Sequence, residues 1–142
     1  MPCPTFAIKT AVPDPAAESF SFPAQKTMYG GKRVAVGETI FIFASEHEGG
    51  AGLVAAGVVS EVTPIPRTPG LARETPRVSI TVRRTAIAAR RLGRAELRRF
   101  SDWKDGRPET ELNFKFYRQA TNKIVALSAE AANFLHGFFA DA

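Results

Sequence analysis

The chain has 142 residues, 44% hydrophobic and 23% charged, and nineteen Lys and Arg against fourteen Asp and Glu give a net charge of +5. That length suits one domain of roughly 100–200 residues, spanning 1–142, and the balance of apolar to charged residues excludes a disordered chain or a fibrous repeat. No run approaches the roughly 18 apolar residues of a membrane span, Met1-Pro2-Cys3-Pro4 has no secretion-signal pattern, and one cysteine closes no internal disulfide, so a cytoplasmic location without membrane contact is expected.

The first element, Thr5-Phe6-Ala7-Ile8-Lys9-Thr10, alternates in strand fashion and stops at the turn-rich Ala11-Val12-Pro13-Asp14-Pro15. From Glu18 to Tyr29 aromatic and polar residues mix without a sustained period, which predicts a loop or short helix closed by Gly30-Gly31. Thr39 to Ala44 is the strongest strand, dense in β-branched and aromatic residues. A polar link, Glu46 to Gly52, joins it to an apolar run, Leu53 to Val62, and the pair predicts a hairpin with Gly57 at a bend or bulge. Pro64, Pro66, Pro69 and Gly70 then mark a loop, and Val78, Ile80 and Val82 alternate with Ser79, Thr81 and Arg83 as a half-buried strand.

Arg94 to Phe100 suits a short helix, and Asp102 to Pro108 is turn chemistry around the sole tryptophan, Trp103. Asn113–Tyr117 and Lys123–Leu127 read as further strands. Ser128 caps a final helix whose apolar stripe is Ala131, Phe134, Leu135, Phe138 and Phe139. Several short strands with one or two helices predict an α+β fold built on a small curved sheet or barrel.

Charge is segregated along the chain. From Arg67 to Arg107 there are twelve bases and four acids, leaving +8 there and −3 elsewhere. Such a field attracts a polyanion, and arginine suits bidentate phosphate contact and stacking, although arginine also serves simply as a solvating cation. Phosphate loops, dinucleotide fingerprints, nucleophile elbows and metalloprotease helices are all missing from the sequence. His47 stands between Glu46 and Glu48 in a glycine-rich loop and His136 lies in the last helix; neither has the partners of a metal site or a catalytic histidine. No metal and no cofactor are expected. Phe20, Phe22, Tyr29 and Trp103 sit in irregular segments beside Lys26, Lys32 and Lys104, where each either plugs an end of a barrel or stacks on a base.

In order along the chain, Phe6-Ala7-Ile8-Lys9-Thr10, Val36-Gly37-Glu38 with the strand to Ser45, Leu53 to Val62, Phe116-Tyr117-Arg118-Gln119-Ala120 and Ile124 to Ser128 resemble the PUA-like superfamily, and within it the EVE domain, related to YTH and ASCH domains. Phe6 and Phe22 stand where EVE proteins commonly carry tryptophan. The resemblance implies a curved, barrel-like mixed sheet with short flanking helices and a C-terminal helix. It also implies a non-enzymatic nucleic-acid binding module that takes a flipped or unpaired, often modified, base of DNA or RNA into a pocket. By position, Lys9, Ser45, Arg118 and Gln119 fall near the pocket's rim or wall. Phe22, Gln25, Lys26 and Tyr29 match the pocket-forming loop, Trp103 joins them as an aromatic, and Arg118 serves either the pocket or a link to the closing helix. Arg83, Arg84, Arg90 and Arg91 would meet backbone phosphates. An ASCH-type amidohydrolase acting on a modified nucleoside is the rival, assembled from Lys9 or Lys26, Thr10 or Thr27, and Glu38 or Glu46. A module whose arginines bind an acidic protein is the third reading. The sequence leaves the oligomeric state open.

Overall fold

Six strands, β1 (Thr5–Thr10), β2 (Ser19–Met28), β3 (Thr39–Ala44), β4 (Gly52–Pro64), β5 (Arg77–Ile87) and β6 (Lys123–Leu127), close into a barrel in the order β1-β3-β4-β5-β2-β6. The computed structural model describes residues 4–66, 70, 76–119 and 121–139. Cys3, Arg67, Pro69, Arg73, Glu74 and Ala120 lie outside them. Among the described residues three α-helices accompany the barrel: α1 (Arg94–Leu97), α2 (Pro108–Phe116) and α3 (Ala129–His136). None is long and apolar enough to cross a membrane.

Strand alternation sorts the apolar residues into two layers. One set fills the lumen: Phe6 and Ile8 of β1, Phe20 and Phe22 of β2, Ile40 and Ile42 of β3, with Val59, Ile80, Val82 and Ile124. The opposite set, Ala7, Phe41, Phe43, Leu53 and Val125, faces outward and is covered by Leu97 of α1, Leu112 and Phe116 of α2 and Leu135 of α3. The expected hairpin is present as the antiparallel pair β3–β4, and the pairing of β4 with β5 shifts register at Ala56/Gly57. A side chain at Gly57 would stand 2.6 Å from the Arg83 carbonyl oxygen, so only glycine allows the strands to approach there.

Two segments differ from the sequence expectation. Glu18 to Tyr29 is mostly strand, not loop or short helix: Phe20 and Phe22 alternate into the lumen and stack with centroids 5.7 Å apart. A register shift between Phe22 and Gln25, with Ala24 at φ 49°, interrupts the period and hides the strand. Asn113 to Tyr117 is not a strand; residues 113–116 form the end of α2. Pro108 opens that helix, Glu109 and Glu111 sit in its first turn, and the buried pair Leu112 and Phe116 follows i, i+4 spacing rather than the alternation of the two phenylalanines. At the last helix the expected cap is formed, with Ser128 Oγ accepting from the Ala131 amide at 3.1 Å.

Candidate functional site

The bulge in β2 has a local consequence. Beyond it, Gln25 and Lys26 still pair with Val78 and Arg77 of β5, whereas Thr27 and Met28 pair with Ile124 and Val125 of β6. Where β2 changes partner a polar cleft of about 280 Å³ opens, lined by Thr10, Ala24, Gln25, Lys26, Arg77, Thr121 and Asn122. This volume lies just below the roughly 300–1,000 Å³ of small-molecule sites, and so suits one planar ring. Arg77 donates to the Ala24 carbonyl at 2.8 Å, which holds its guanidinium over the bulge. The Gln25 amide nitrogen donates to the Pro23 carbonyl at 2.9 Å, leaving the amide oxygen available to an incoming donor. The cleft thus offers two cations and a set of amide and hydroxyl groups, suited to an anion beside a hydrogen-bonding ring edge.

Lys9 and Ser45 lie elsewhere. Both are buried, and Lys9 Nζ donates to the Phe116 carbonyl at the end of α2 at 2.8 Å, 4.9 Å from the centre of the Tyr117 ring. Lys123, its register partner on β6, is also buried and donates to the Gln119 carbonyl at 2.9 Å. Burial pushes both ammonium groups down, Lys123 to about 8 with the nearby Lys9 charge adding to the effect; for Lys9 the Glu46 carboxylate works in the opposite direction. Glu46 accepts from Tyr117 Oη at 3.1 Å and from the Arg94 amide at 2.7 Å. Burial, reinforced by Glu46, pushes the Tyr117 phenol up. These groups lock β1 and β6 to the carbonyls at the end of α2 and just beyond it.

A third grouping forms on the helical side. Phe114 points away from the buried face of α2, and Tyr29, Trp103 and Arg118 gather on it: the two aromatic rings each at 5.6 Å, the guanidinium at 4.7 Å from its ring centre. Tyr29 is held at φ 50°, and Trp103 is 43% exposed. Clefts open on both sides of the indole, one of about 260 Å³ along Gly106, Arg107, Thr110, Glu111 and Phe114, the other of about 250 Å³ along Arg94, Arg98, Ser101, Asn113, Tyr117 and Arg118.

The structure therefore divides the residues singled out from sequence. Gln25 and Lys26 share the cleft beside β2; Tyr29, Trp103 and Arg118 meet around Phe114; Phe22 is core, Gln119 is exposed with its carbonyl engaged by Lys123, and Lys9 and Ser45 are sealed. Of the four arginines, Arg84 donates to the Ala17 carbonyl at 2.8 Å, and Arg90 donates to the Gly137 carbonyl at 2.6 Å over the Phe138 ring. Arg91 lies 3.7 Å from Glu96, and Arg83 is exposed on β5. His136 sits edge-on to Phe41, and among the described residues no three His, Cys, Asp or Glu side chains gather as metal ligands. Sequence reasoning missed Arg77, Asn122, Phe114, Arg94 and Arg98. For Phe114 the signal was Pro108 followed by two glutamates; for Arg77 and Asn122 there was none, because the cleft depends on how β2 changes partner.

No protein-family model matches the chain, and no curated protein matches it in sequence. Among solved structures, the DUF55 domain of human thymocyte nuclear protein 1 shares its fold at a TM-score of 0.64 and 14% identity, over 94% of this chain and 96% of that one. Human THYN1 in complex with 5-methylcytosine-containing DNA matches at a TM-score of 0.60 and 15% identity, again over 94% and 96%. The six-stranded mixed barrel with three short helices thus has the fold of these two structures, the curved, barrel-like mixed sheet with a C-terminal helix that the ordered resemblance in sequence implied.

Proposed function

We propose that this chain is a non-enzymatic nucleic-acid binding module that takes one unpaired, modified base into the cleft beside the β2 bulge. The observation that carries this reading is the convergence of Gln25, Lys26, Arg77, Thr10 and Asn122 at that cleft, on a fold shared with a domain solved on 5-methylcytosine-containing DNA. An unpaired base needs hydrogen-bonding groups for its edge and a cation for the phosphate beside it, and this cleft presents both. The exposed Arg83 supplies further positive field for the backbone of DNA or RNA, whereas Arg91 is offset by Glu96.

The placement of the hydrolase candidates also supports binding over catalysis. Of Lys9, Lys26, Thr10, Thr27, Glu38 and Glu46, the cleft collects only Lys26 and Thr10. Thr27 Oγ1 donates to the Pro76 carbonyl at 2.9 Å, Lys9 is sealed against α2, and Glu46 is engaged by Tyr117 and Arg94. A carboxylate to handle the proton of an attacking group is not among the cleft's lining residues.

The test is fluorescence anisotropy with labelled single- and double-stranded DNA and RNA, carrying plain cytosine or 5-methylcytosine, at two salt concentrations. Binding that prefers the methylated base and weakens about tenfold or more in Gln25→Ala or Lys26→Ala is the expected result. Equal binding of both bases, unaffected by either substitution, would sink the base-reading proposal.

A further inference from the structure

The cleft between α1 and the end of α2 is not used by the reading above, and its composition is distinctive. Arg94 and Arg98 stand at i, i+4 from the start of α1, and Arg118 follows α2, so three guanidinium groups border one opening of about 250 Å³. Among the described residues none of the three makes an ion pair. The carboxylate nearest in function, Glu46, is already engaged by the Tyr117 hydroxyl and the Arg94 backbone amide. Trp103 borders the same opening, fixed edge-on to Phe114 at 71° while 43% exposed. Guanidinium groups outside any described ion pair, around a half-open indole, are the two components of single-strand recognition: charge for the phosphate, an aromatic face for the base.

We infer that this cleft is a second nucleic-acid contact, in which Arg94, Arg98 and Arg118 hold a backbone phosphate and Trp103 stacks on an adjoining base of a single-stranded segment. The inference shares its ligand class with the proposed function but does not depend on the cleft beside β2. The two clefts are neighbours along the chain. Arg118 borders one and Thr121 the other, and three residues span at most about 11 Å. Each strand of duplex DNA carries one phosphate per roughly 3.4 Å of axis and an unpaired strand stretches further, so a base held beside β2 leaves nucleotides only a few positions away within reach of Trp103. The strand would thus be held on both sides of the connection between α2 and β6.

Trp103 is the only tryptophan, so intrinsic fluorescence reports this site without labelling. The experiment titrates the full chain with an unmodified single-stranded DNA 12-mer and, separately, with a mononucleotide, while anisotropy of the labelled 12-mer reports total binding. Quenching by the 12-mer that weakens with salt is expected. In Arg98→Gln the quenching should need about tenfold more DNA, and the log–log salt dependence should flatten by about 0.7, the slope of one single-strand phosphate contact. Arg33→Gln, an exposed charge on the loop before β3, serves as the matched control and should leave both values unchanged. Undisturbed Trp103 fluorescence while anisotropy rises would overturn this inference and leave the proposed function standing. Loss of both signals would overturn this inference alone, since the 12-mer carries no modified base and the proposed function is judged on the methylated probe. Quenching by the mononucleotide as readily as by the 12-mer would overturn the strand contact in favour of a free-nucleotide site. A thermal melt of Arg98→Gln matching the parent excludes misfolding as the cause of any loss.

Discussion

The two buried layers of this molecule are built on different chemistry. The lumen is hydrocarbon throughout, with Phe6, Ile8, Ile40, Ile42 and Ile80 as its largest fully buried members, whereas the layer between the barrel wall and the helices also holds the ammonium groups of Lys9 and Lys123. The lumen can rely on packing alone because every strand there is already tied to its neighbours by backbone hydrogen bonds. The outer layer must fasten helices to strands, and it does so by sending lysines from β1 and β6 into the Phe116 and Gln119 carbonyls. Packing without polar pins lets short helices slide; a directed hydrogen bond fixes their position at the cost of burying charge.

The sharpest way to break this comparison is Phe6→Ala in the lumen. It should cost about 3–5 kcal/mol in denaturant unfolding, the usual penalty for a large buried ring replaced by a cavity. A loss below 1 kcal/mol would mean that the lumen is loosely filled. Lys123→Met tests the other layer. A lysine whose folded pKa is near 8 against an ordinary value of 10.5 binds fewer protons folded than unfolded in that interval, so stability rises as pH climbs from about 8. The rise should end near pH 10, where the raised Tyr117 phenol begins to act in the opposite direction. The methionine variant should unfold no more easily than the parent at pH 7 and should lose much of the rise; an undiminished rise would remove Lys123 as its source.

Ser128→Ala is expected to cost about 1–2 kcal/mol, the upper part of the range for a lost cap, because the Ser128 hydroxyl also donates to Glu111 on α2, while the bond from the Ser128 amide to that carboxylate survives the substitution. Burial of Glu111 works against its ionisation, yet the hydrogen bonds from Ser128 and Lys115 hold its carboxyl below the usual range. In this variant the Glu111 pKa, followed by NMR, should therefore move upward. The smallest effect belongs to Trp103→Ala, which should stay within about 0.5 kcal/mol of the parent, since the indole is held mainly against one ring. A large loss would recast Trp103 as scaffold.

Where the chain obeys a single period, the sequence was sufficient. Thr39–Ala44 and the Ser128 cap were legible because β-branched density and a capping hydroxyl act locally. Residues 113–116 were misread because Phe114 and Phe116 alternate like a strand, although one helix presents them on different faces, Phe116 inward and Phe114 toward Trp103. The strand in 19–28 was lost to Pro23 and the bulge, the same irregularity that makes the cleft. Gln25 and Lys26 were reached through likeness to a family. Arg77 and Asn122 were not reached at all, since they join these residues only when strands distant in sequence are laid side by side. Lys9, legible as an unusual charge in an apolar strand, serves helix attachment in the structure, which chemistry at the level of sequence could not separate from a ligand contact.

The order of the barrel carries a consequence for synthesis. β1 lies between β3 and β6, so among the six described barrel strands the earliest in the chain is flanked on one side by the latest. While a ribosome is still adding residues 123–127, β1 presents a row of unpaired backbone groups, and β2 the two positions Thr27 and Met28, on the side where β6 will insert. Closure is then a late, all-at-once event rather than a gradual one, with contacts of high sequence separation setting its rate. Until that moment the nascent chain exposes strand edges that a neighbouring nascent chain could pair with.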